Sequence, residues 1–379
     1  MNQKKNLLPI GFRDILSNEA NTQFEYGKKL LKNFDSWGYS FIDPPIVEYE
    51  KTLLDTKNKS LNKKTLSFSD PLTKEKLSLR PDITTQLARI AEDRLFSLPK
   101  PLRLCYFGDV FRADKPNLSS DRQFKQSGIE IIGSKDLQAD IEIITLSLES
   151  LKKINFNRIS LDINTPIILE RIFDDFKIPK TKRTTIKKLV AKKNIKEINN
   201  YDSRLYKILK EIIDSSGPIK KNLEKIKKIK FGYKAKKVVK DFLSICSFLI
   251  KKNYNEFKIS IDLLDHRGFE YYTGITFSIF CLNSRKEVCR GGRYLTSRNM
   301  DAVGSTFFLN RFLEFKNFST KKRKRILISY KNSLDKNLYK LRKKGWITIQ
   351  NIDKSNDKKI AKLHNCKFIF KNNKIKPIK

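Results

Sequence analysis

Two long β-type segments joined by a polar loop place the tightest limit on how this chain can fold. They read LRLCYFGDVFRAD and RQFKQSGIEIIG, and the loop between them covers residues 114–121. Runs rich in aromatic and β-branched residues, bounded by polar residues, are typical of strands. A shorter pair, TLSFSD and KLSLRPD, precedes them, and FKISIDLLD, RGFEYYTGITFSIF and EVCRGGRYL follow later. Mostly antiparallel strands combined with helices predict an α+β fold.

Helical periodicity marks much of the chain between these strands. Apolar residues recur at helical spacing over residues 17–37, 83–96 and 137–151, and Ser17 is placed to cap the first of these helices. Residues near 166–252 are helical and lysine-dense, whereas the last segment alternates short strands and helices. The predicted domains are a first part of the core over 1–165, a helical insertion over 166–252, a second part of the core over 253–318 and a small α/β module over 319–379.

The cysteine and histidine content argues against a metal centre. None of the five cysteines forms a C-x-x-C pair and the chain has two histidines, so we predict neither a metal nor a cofactor. Free thiols fit a reducing compartment. The amino-terminal segment MNQKKNLLPIGFRD lacks the apolar centre of a signal peptide, and no run approaches the length of a membrane span. We therefore expect a cytoplasmic protein with no membrane partner.

The formal net charge of +39 has two interpretations. A basic surface of this size favours polyanions such as nucleic acid. However, lysine accompanies asparagine and isoleucine along the whole chain, which is typical of a general bias in amino-acid usage. Lysine runs in helical segments are also more often solvated faces than binding grooves. Nucleic acid is therefore not a predicted partner, and a functional role for the charge stays open.

Residues 122–132 place several polar groups on one face of a strand. Because alternate strand residues share a face, Gln126, Gly128 and Glu130 point to the same side. Gly128 carries no side chain and is expected to leave space between the other two. A buried carboxylate needs a donor or a cation beside it. Glu130 therefore either faces a ligand or forms a structural ion pair, and the sequence favours neither interpretation.

Further polar residues stand at the ends of predicted elements. Asp82 begins a helix, where it either binds a ligand or stabilises the first N–H groups. Arg112 ends a strand and is either solvated or bound to an anion. Arg267 enters a strand and offers a fork of donors suited to a carboxylate. It is followed by Tyr271 and Tyr272, of which at most one is expected to line a given pocket, because adjacent strand residues point to opposite faces. Together these groups would match the charges and ring N–H groups of an amino acid such as histidine.

Seven motifs follow one another as in the catalytic core of histidyl-tRNA synthetases: LLPIGFRD, SWGYSFIDPPIVEY, LRPDITTQLAR, LRLCYFGDVFRAD, RQFKQSGIEIIG, RGFEYYTGITF and GGRY. The chain resembles more closely a paralogous family, the regulatory subunits of ATP phosphoribosyltransferase. The resemblance covers about residues 7–152 and 259–315 and includes the short tail. It implies a class II synthetase-like fold, with a six-stranded antiparallel sheet flanked by helices, and a homodimer formed through the first motif, the segment ending at Pro45. The histidine-contacting residues that it implies are Asp82, Gln126, Glu130, Arg267, Tyr271 and Tyr272.

Departures from the synthetase motifs fall mainly where the synthetases hold ATP. Arg112 is followed by Ala113 and Asp114, whereas the synthetases have Arg-x-Glu. Phe308 stands three residues before Arg311, at a place where the synthetases have glycine, and a phenyl group would fill space that a nucleotide needs. Arg112 and Arg311 remain anion-binding candidates. The histidine pocket is mostly kept, although Asp82 is one methylene shorter than the usual glutamate.

The resemblance therefore implies a non-catalytic regulatory subunit of ATP phosphoribosyltransferase, which takes part in the first step of histidine biosynthesis and in its feedback inhibition by histidine. The implied partner is a short-form catalytic subunit in a hetero-octamer, and the implied effector is histidine. Two alternatives stay open. One is a divergent, active histidyl-tRNA synthetase, and the other is a pseudo-synthetase that senses tRNA.

Overall fold

A computed structural model describes the chain as two compact units, residues 1–315 and 316–379. The described residues are 8–53, 65–113, 121–156, 158–252, 254, 256–265, 271–282, 286–313, 323–332, 337–352, 356–372 and 374–378. The predicted boundaries within the first unit stay predictions, since the core and the helical insertion belong to the same compact unit.

The first unit contains twelve strands within its described residues. They are β1 Ser40–Phe41, β2 Val47–Tyr49, β3 Leu66–Ser69, β4 Lys76–Leu79, β5 Leu102–Phe111, β6 Gln123–Ile132, β7 Ile159–Asn164, β8 Gly217–Pro218, β9 Lys258–Ile261, β10 Tyr272–Cys281, β11 Glu287–Leu295 and β12 Asp301–Phe308. Nine of them form one sheet in the order β1-β5-β6-β12-β11-β10-β7-β9-β8, and the other three form a small sheet in the order β2-β4-β3.

The large sheet confirms the predicted α+β architecture and extends it. Its six strands from β5 to β7 are joined by antiparallel pairings throughout, as the resemblance implied. Beyond them, β1 pairs in parallel with β5, and β9 pairs in parallel with β7. The predicted pairing of TLSFSD with KLSLRPD is confirmed by the antiparallel ladder between β3 and β4.

Helices of the first unit follow the predicted segments closely. They are α1 Ser17–Asp35, α2 Glu50–Leu53, α3 Thr84–Asp93, α4 Leu137–Lys153, α5 Ile167–Asp175, α6 Lys180–Ala191, the 3₁₀ helix Lys196–Asn200, α7 Ser203–Ile213, α8 Ile219–Lys228, α9 Tyr233–Lys251 and α10 Leu309–Phe312. The predicted capping role of Ser17 is wrong, because α1 starts after Leu16 and has no side-chain cap. The chain leaves α1 through Gly38, whose φ of +80° suits glycine.

One face of the large sheet packs on helices and forms an apolar layer. Phe34 of α1 lies against Phe307 of β12, with ring centroids 5.8 Å apart. The hydroxyl groups of Ser147 of α4 and Ser305 of β12 lie 2.8 Å apart and form a hydrogen bond. Because strand residues alternate between faces, Thr306 and Phe308 point to the opposite side. That opposite face carries the candidate site.

Helices α5 to α9 follow β7 in the sequence and precede β9. Asp175 at the end of α5 accepts hydrogen bonds from the backbone N–H groups of Lys234 and Ala235, at 3.0 and 2.9 Å. It thereby satisfies donors that the first turn of α9 leaves open. Gly232 leaves room for this carboxylate, because a Cβ there would lie 2.5 Å from Asp175 Cγ.

The second unit is a small α/β module, as predicted. Its elements are β13 Arg325–Ile328, the 3₁₀ helix Tyr330–Asn332, α11 Asn337–Lys343, β14 Ile347–Gln350, α12 Asp357–Leu363, β15 Phe368–Lys371 and β16 Lys374–Pro377. The strands lie in the order β14-β13-β15-β16, of which the first three are parallel. Ile326, Ile328 and Phe370 fill the core on one side of this sheet, and Leu327 and Ala361 on the other. Within the described parts of both units, no helix combines the length and the apolar character needed to cross a bilayer.

Candidate functional site

The antiparallel ladders bring most of the predicted site residues to one sheet face. Glu130 of β6 lies beside Gly304 of β12, and Gly304 lies beside Gly292 of β11. A Cβ on Gly304 would overlap the Glu130 carboxylate, whereas a Cβ on Gly292 would lie 2.9 Å from Cδ1 of Tyr272. Two cross-strand glycines therefore form a floor on which the side chains of Glu130 and Tyr272 lie.

Glu130 is the most deeply buried acid of the site, with 1% of its surface exposed. Its carboxylate accepts hydrogen bonds from Thr84 Oγ1 at 2.9 Å and from the Tyr294 hydroxyl at 2.8 Å. Burial raises the pKa of Glu130 to about 8, the two hydrogen bonds oppose this shift, and Asp82 adds to it. Within the described part of the chain, Glu130 thus forms hydrogen bonds with hydroxyl groups. These contacts do not support the alternative prediction, in which Glu130 forms a structural ion pair.

Asp82 fills the helix-start role that was one of its two predicted interpretations, and its role in ligand binding stays a prediction. Its Oδ1 accepts from the backbone N–H of Thr84 at 2.8 Å and so stabilises the start of α3. Its Oδ2 accepts from Gln126 Nε2 at 3.2 Å, which joins the helix start to β6. Arg80 anchors this segment, since its guanidinium donates to the carbonyl groups of Asp109 and Pro44, each at 2.7 Å.

Gln126 leaves one polar atom for a further partner. Its side chain is fully buried, and its Oε1 has no hydrogen-bond partner among the residues that the structure describes. The amide nitrogen faces the Asp82 carboxylate, so the oxygen is the atom that points elsewhere. A buried acceptor without a donor is costly, which indicates that a donor from outside these residues belongs there.

The two tyrosines correct one expectation. Tyr271 and Tyr272 lie together, with ring centroids 4.0 Å apart, and Tyr271 also contacts Tyr294 at 5.7 Å. The rule of opposite faces fails because β10 begins only at Tyr272, so Tyr271 precedes the strand and is not bound by its pleat. Both rings therefore belong to the same aromatic wall. Arg267, predicted to stand at the entrance of this strand, lies outside the described residues.

Gly128 does not leave open space, which corrects a second expectation. A Cβ at this position would overlap the hydroxyl end of Tyr106. The Tyr106 hydroxyl lies 2.7 Å from Thr306 Oγ1 and 3.3 Å from Thr84 Oγ1. The missing side chain thus admits a buried phenol that supports the residues around Glu130.

Aromatic rings and arginines fill the neighbouring row of the same face. Phe308 is 8% exposed and its ring lies 6.4 Å from that of Phe124. The Arg311 guanidinium lies over Phe308 at 4.3 Å, and that of Arg112 lies over Phe124 at 5.0 Å. Arg311 also donates to the Glu287 carbonyl at 2.6 Å and pairs with its carboxylate at 3.3 Å. Both predicted anion-binding arginines therefore already contact protein groups.

Comparison with known proteins identifies the family of the chain. The family model described as histidyl-tRNA synthetase matches residues 11–312. An ATP phosphoribosyltransferase regulatory subunit from Paramagnetospirillum magneticum is 30% identical over 358 residues, which cover 94% of each chain. This chain belongs to the family of ATP phosphoribosyltransferase regulatory subunits. The resemblance predicted from the motifs is thereby confirmed.

Solved structures support the fold of this regulatory-subunit family. A protein from Bacillus halodurans, described as an ATP phosphoribosyltransferase regulatory subunit/histidyl-tRNA synthetase, superimposes with a TM-score of 0.82 at 22% identity over 97% of this chain and 98% of its own. A chain of an ATP phosphoribosyl transferase complex from Thermotoga maritima gives a TM-score of 0.60 at 23% identity over 76% of this chain and 97% of its own. The predicted class II synthetase-like fold is confirmed.

Several residues of the site were not predicted from the sequence. Thr84, Tyr106 and Tyr294 surround Glu130, and Glu287 and Arg290 border the aromatic row. The glycines in AVGST and GGRY were a usable signal for the crowding around Glu130 and Tyr272, because Gly304 lies against the Glu130 carboxylate and Gly292 lies against the Tyr272 ring. Gly128 was a comparable signal for Tyr106, whereas Thr84 carried no such local signal.

The arrangement offers groups that can bind a small polar molecule. Acceptors from Glu130, Asp82 and Gln126 form one end, which would bind ammonium or ring N–H donors. Tyrosine rings form a flat wall beside it. No group of three metal-ligating side chains occurs within the described ranges.

Proposed function

We propose that this chain is the non-catalytic regulatory subunit of ATP phosphoribosyltransferase, that it is required for the first step of histidine biosynthesis, and that it senses histidine for feedback inhibition. The names of its relatives support the regulatory role, and the Thermotoga maritima complex is named as an assembly of this enzyme. A short-form catalytic subunit is the partner, and it carries the chemistry.

The contrast between the two rows of the sheet face carries this proposal. In the acidic row, Gln126 donates to Asp82. Thr84 joins Asp82 to Glu130, because its backbone N–H donates to the first carboxylate and its hydroxyl to the second. The neighbouring row is filled by Phe308, which stands where the related synthetases have glycine, and by Phe124. The guanidinium groups of Arg311 and Arg112 lie over these two rings. A site that seats an amino acid but is packed with side chains beside it fits a sensor better than an adenylating enzyme.

Histidine fits the acidic end by chemistry. Its ammonium and imidazole N–H groups are donors, and the buried Oε1 of Gln126 and the carboxylates of Asp82 and Glu130 are acceptors. The rings of Tyr271 and Tyr272 supply a flat apolar contact. Arg267 completes the proposed histidine-binding set of Asp82, Gln126, Glu130, Arg267, Tyr271 and Tyr272.

Binding is expected to release a proton from Glu130. Because the pKa of this carboxyl is raised to about 8, it is largely protonated at pH 7 in the empty pocket. A bound cation or N–H donor favours the ionised form, so the proton leaves as the ligand enters. The heat of histidine binding at pH 7 should therefore differ between buffers of different ionisation enthalpy. Glu130→Gln should abolish this difference together with most of the affinity, whereas equal heats in both buffers would contradict the role of Glu130.

Regulation requires that histidine bind the active and inhibited assemblies with different affinities. In the proposed assembly, a homodimer forms through the segment ending at Pro45, and regulatory and catalytic subunits join in a hetero-octamer. The shared ladder between β6 and β12 offers a physical link from the pocket to the rest of the sheet.

The deciding experiment mixes the chain with the short-form catalytic subunit of the same organism. Phosphoribosyl transfer should be faint with the catalytic subunit alone, rise on mixing, and fall when histidine is added. A Glu130→Gln subunit should still activate but should no longer confer inhibition. Glu256→Gln, which alters an acid that is 43% exposed and paired with Lys152, is the matched control.

Two results would contradict the proposal. One is the absence of activation by the cognate partner. The other is histidine-dependent exchange of pyrophosphate into ATP by the pure chain, which would instead establish a synthetase.

A further inference from the structure

The side chain of Tyr106 crosses two strands of the sheet because Gly128 carries no side chain. Tyr106, Gly128 and Thr306 are aligned partners on β5, β6 and β12. The outer two strands of such a row lie about 10 Å apart. The Tyr106 phenol lies over the glycine and brings its hydroxyl to 2.7 Å from Thr306 Oγ1. A Cβ on Gly128 would overlap this hydroxyl, so the glycine is what permits the crossing.

The same hydroxyl begins a connection to the buried acid of the pocket. It lies 3.3 Å from Thr84 Oγ1, and Thr84 donates to the Glu130 carboxylate at 2.9 Å. Thr306, Tyr106 and Thr84 therefore form a chain of three hydroxyl groups that ends at Glu130. Tyr106 is fully buried and Thr84 is 9% exposed, so solvent is poorly placed to replace a missing member of this hydroxyl chain.

The hydroxyl chain can point all its donors toward the carboxylate. Each hydroxyl group has one hydrogen to donate and also accepts hydrogen bonds. Thr84 gives its hydrogen to Glu130, so its oxygen can accept from Tyr106, and Tyr106 can in turn accept from Thr306. Hydrogen bonds in such a series strengthen one another at low local dielectric. The chain is therefore suited to hold the ionised form of Glu130, which is the form that accepts from a ligand.

We propose that Tyr106 and Thr306 are positioning residues of the histidine pocket, which hold the Thr84 hydroxyl as a donor to Glu130 and thereby keep this carboxylate in place to accept from the ligand. The inference rests on the proposed histidine site. Neither residue belongs to the proposed histidine-binding set, and both act through Thr84. The other oxygen of the carboxylate is held independently, because Tyr294 donates to it at 2.8 Å.

The test measures histidine affinity of the full chain by calorimetric titration. Tyr106→Phe and Thr306→Val each remove one hydroxyl group with little change of shape. Each should lower the affinity roughly 3- to 10-fold, the range that corresponds to one neutral hydrogen bond. Thr306→Ser keeps the hydroxyl group and should retain the affinity of the wild-type protein. If Thr306→Ser lost as much affinity as Thr306→Val, the hydroxyl group would not be the cause and the proposal would fail.

A double-mutant cycle separates an action through Thr84 from a general loss of structure. In a Thr84→Val background, Tyr106→Phe should cause no further loss of affinity, because the donor that Tyr106 holds is already absent. A structural effect would instead lower the affinity by the same factor in both backgrounds, and that result would overturn the proposal. If Tyr106→Phe does not fold, the same cycle with Thr306→Val decides.

Ser305→Ala is the matched control. Ser305 precedes Thr306 on β12 but points to the opposite face, where its hydroxyl pairs with that of Ser147. This variant should bind histidine as the wild-type protein does. An equal loss in Ser305→Ala and Thr306→Val would show that any buried hydroxyl of this strand has the same effect, which contradicts a specific chain. Circular dichroism checks that each variant is folded.

The outcomes distinguish the two proposals. Wild-type protein that binds no histidine overturns the histidine pocket and the positioning role with it. Wild-type protein that binds histidine, together with Tyr106→Phe and Thr306→Val variants of unchanged affinity, overturns only the positioning role.

Discussion

The acidic row and the aromatic row of the sheet face are neighbours on the same strands, yet burial has opposite effects on the stability of the fold in the two rows. Glu130 is buried among hydroxyl groups with its pKa raised to about 8. Phe308 is buried against Phe124 and under the Arg311 guanidinium. The first arrangement destabilises the empty fold at neutral pH, whereas the second stabilises it.

This difference indicates which of the two rows is kept for function rather than for stability. A carboxyl buried among hydroxyl groups costs stability once it ionises, so it is kept only where something other than stability requires it. Stacked aromatic and guanidinium groups need no such explanation, because they bury apolar area and satisfy their charge locally. The acidic row thus has the character of a binding site and the aromatic row that of a core. The following predictions test this contrast.

The largest effect is expected for Glu130→Gln, measured as unfolding free energy against pH. The group ionises near 4.5 in the unfolded chain and near 8 in the fold, so the native state binds the extra proton between these values. Stability should therefore fall as pH rises from about 4.5 to 8, by about 1.4 kcal/mol per unit and on the order of 5 kcal/mol in total. The glutamine variant should lose this slope and become the more stable protein at pH 8. Parallel curves for the two proteins would show that Glu130 is not held protonated.

Phe308→Ala should destabilise the protein at every pH. Removing a buried phenyl group from a packed core costs about 3 kcal/mol, and here the ring also supports Phe124 and Arg311. Urea unfolding measures the loss. Phe96→Ala, at a side chain 71% exposed, should change stability by less than about 0.5 kcal/mol. If both variants lost the same amount, Phe308 could not be part of a core.

Gly304→Ala should have a smaller effect that depends on Glu130. A methyl group on Gly304 overlaps the Glu130 carboxylate, and such overpacking costs about 2 kcal/mol. In a Glu130→Ala background the added methyl has room, so most of the cost should disappear. A double-mutant cycle measures this coupling. If the costs of the two substitutions were additive, the added methyl group would clash with a group other than Glu130.

The local pattern of the sequence was sufficient to predict several features of the site. Alternation along β6 correctly predicted that Gln126 and Glu130 share a face, because the pleat depends on nothing beyond the strand itself. The bulk of Phe308 was visible as a departure from a motif. The helix-start role of Asp82 was also predictable, because a carboxylate at a helix start has a local hydrogen-bond partner in the Thr84 N–H.

Other features depended on residues far apart in the chain. The space at Gly128 is occupied by Tyr106, which comes from the neighbouring strand. The position of Tyr271 beside Tyr272 follows from where β10 starts, which its pairing with β11 decides. Neither could be deduced from residue spacing.

By itself, the sequence determined the class of fold, the family and the face on which the acidic residues of β6 lie, since periodicity and ordered motifs are written along the chain. Only the tertiary structure decided that Glu130 is buried among Thr84 and Tyr294 and that Arg311 is held by Glu287. Burial, and with it the raised pKa of Glu130, depends on which distant segments cover a residue, and that is decided by the packing of strands and helices.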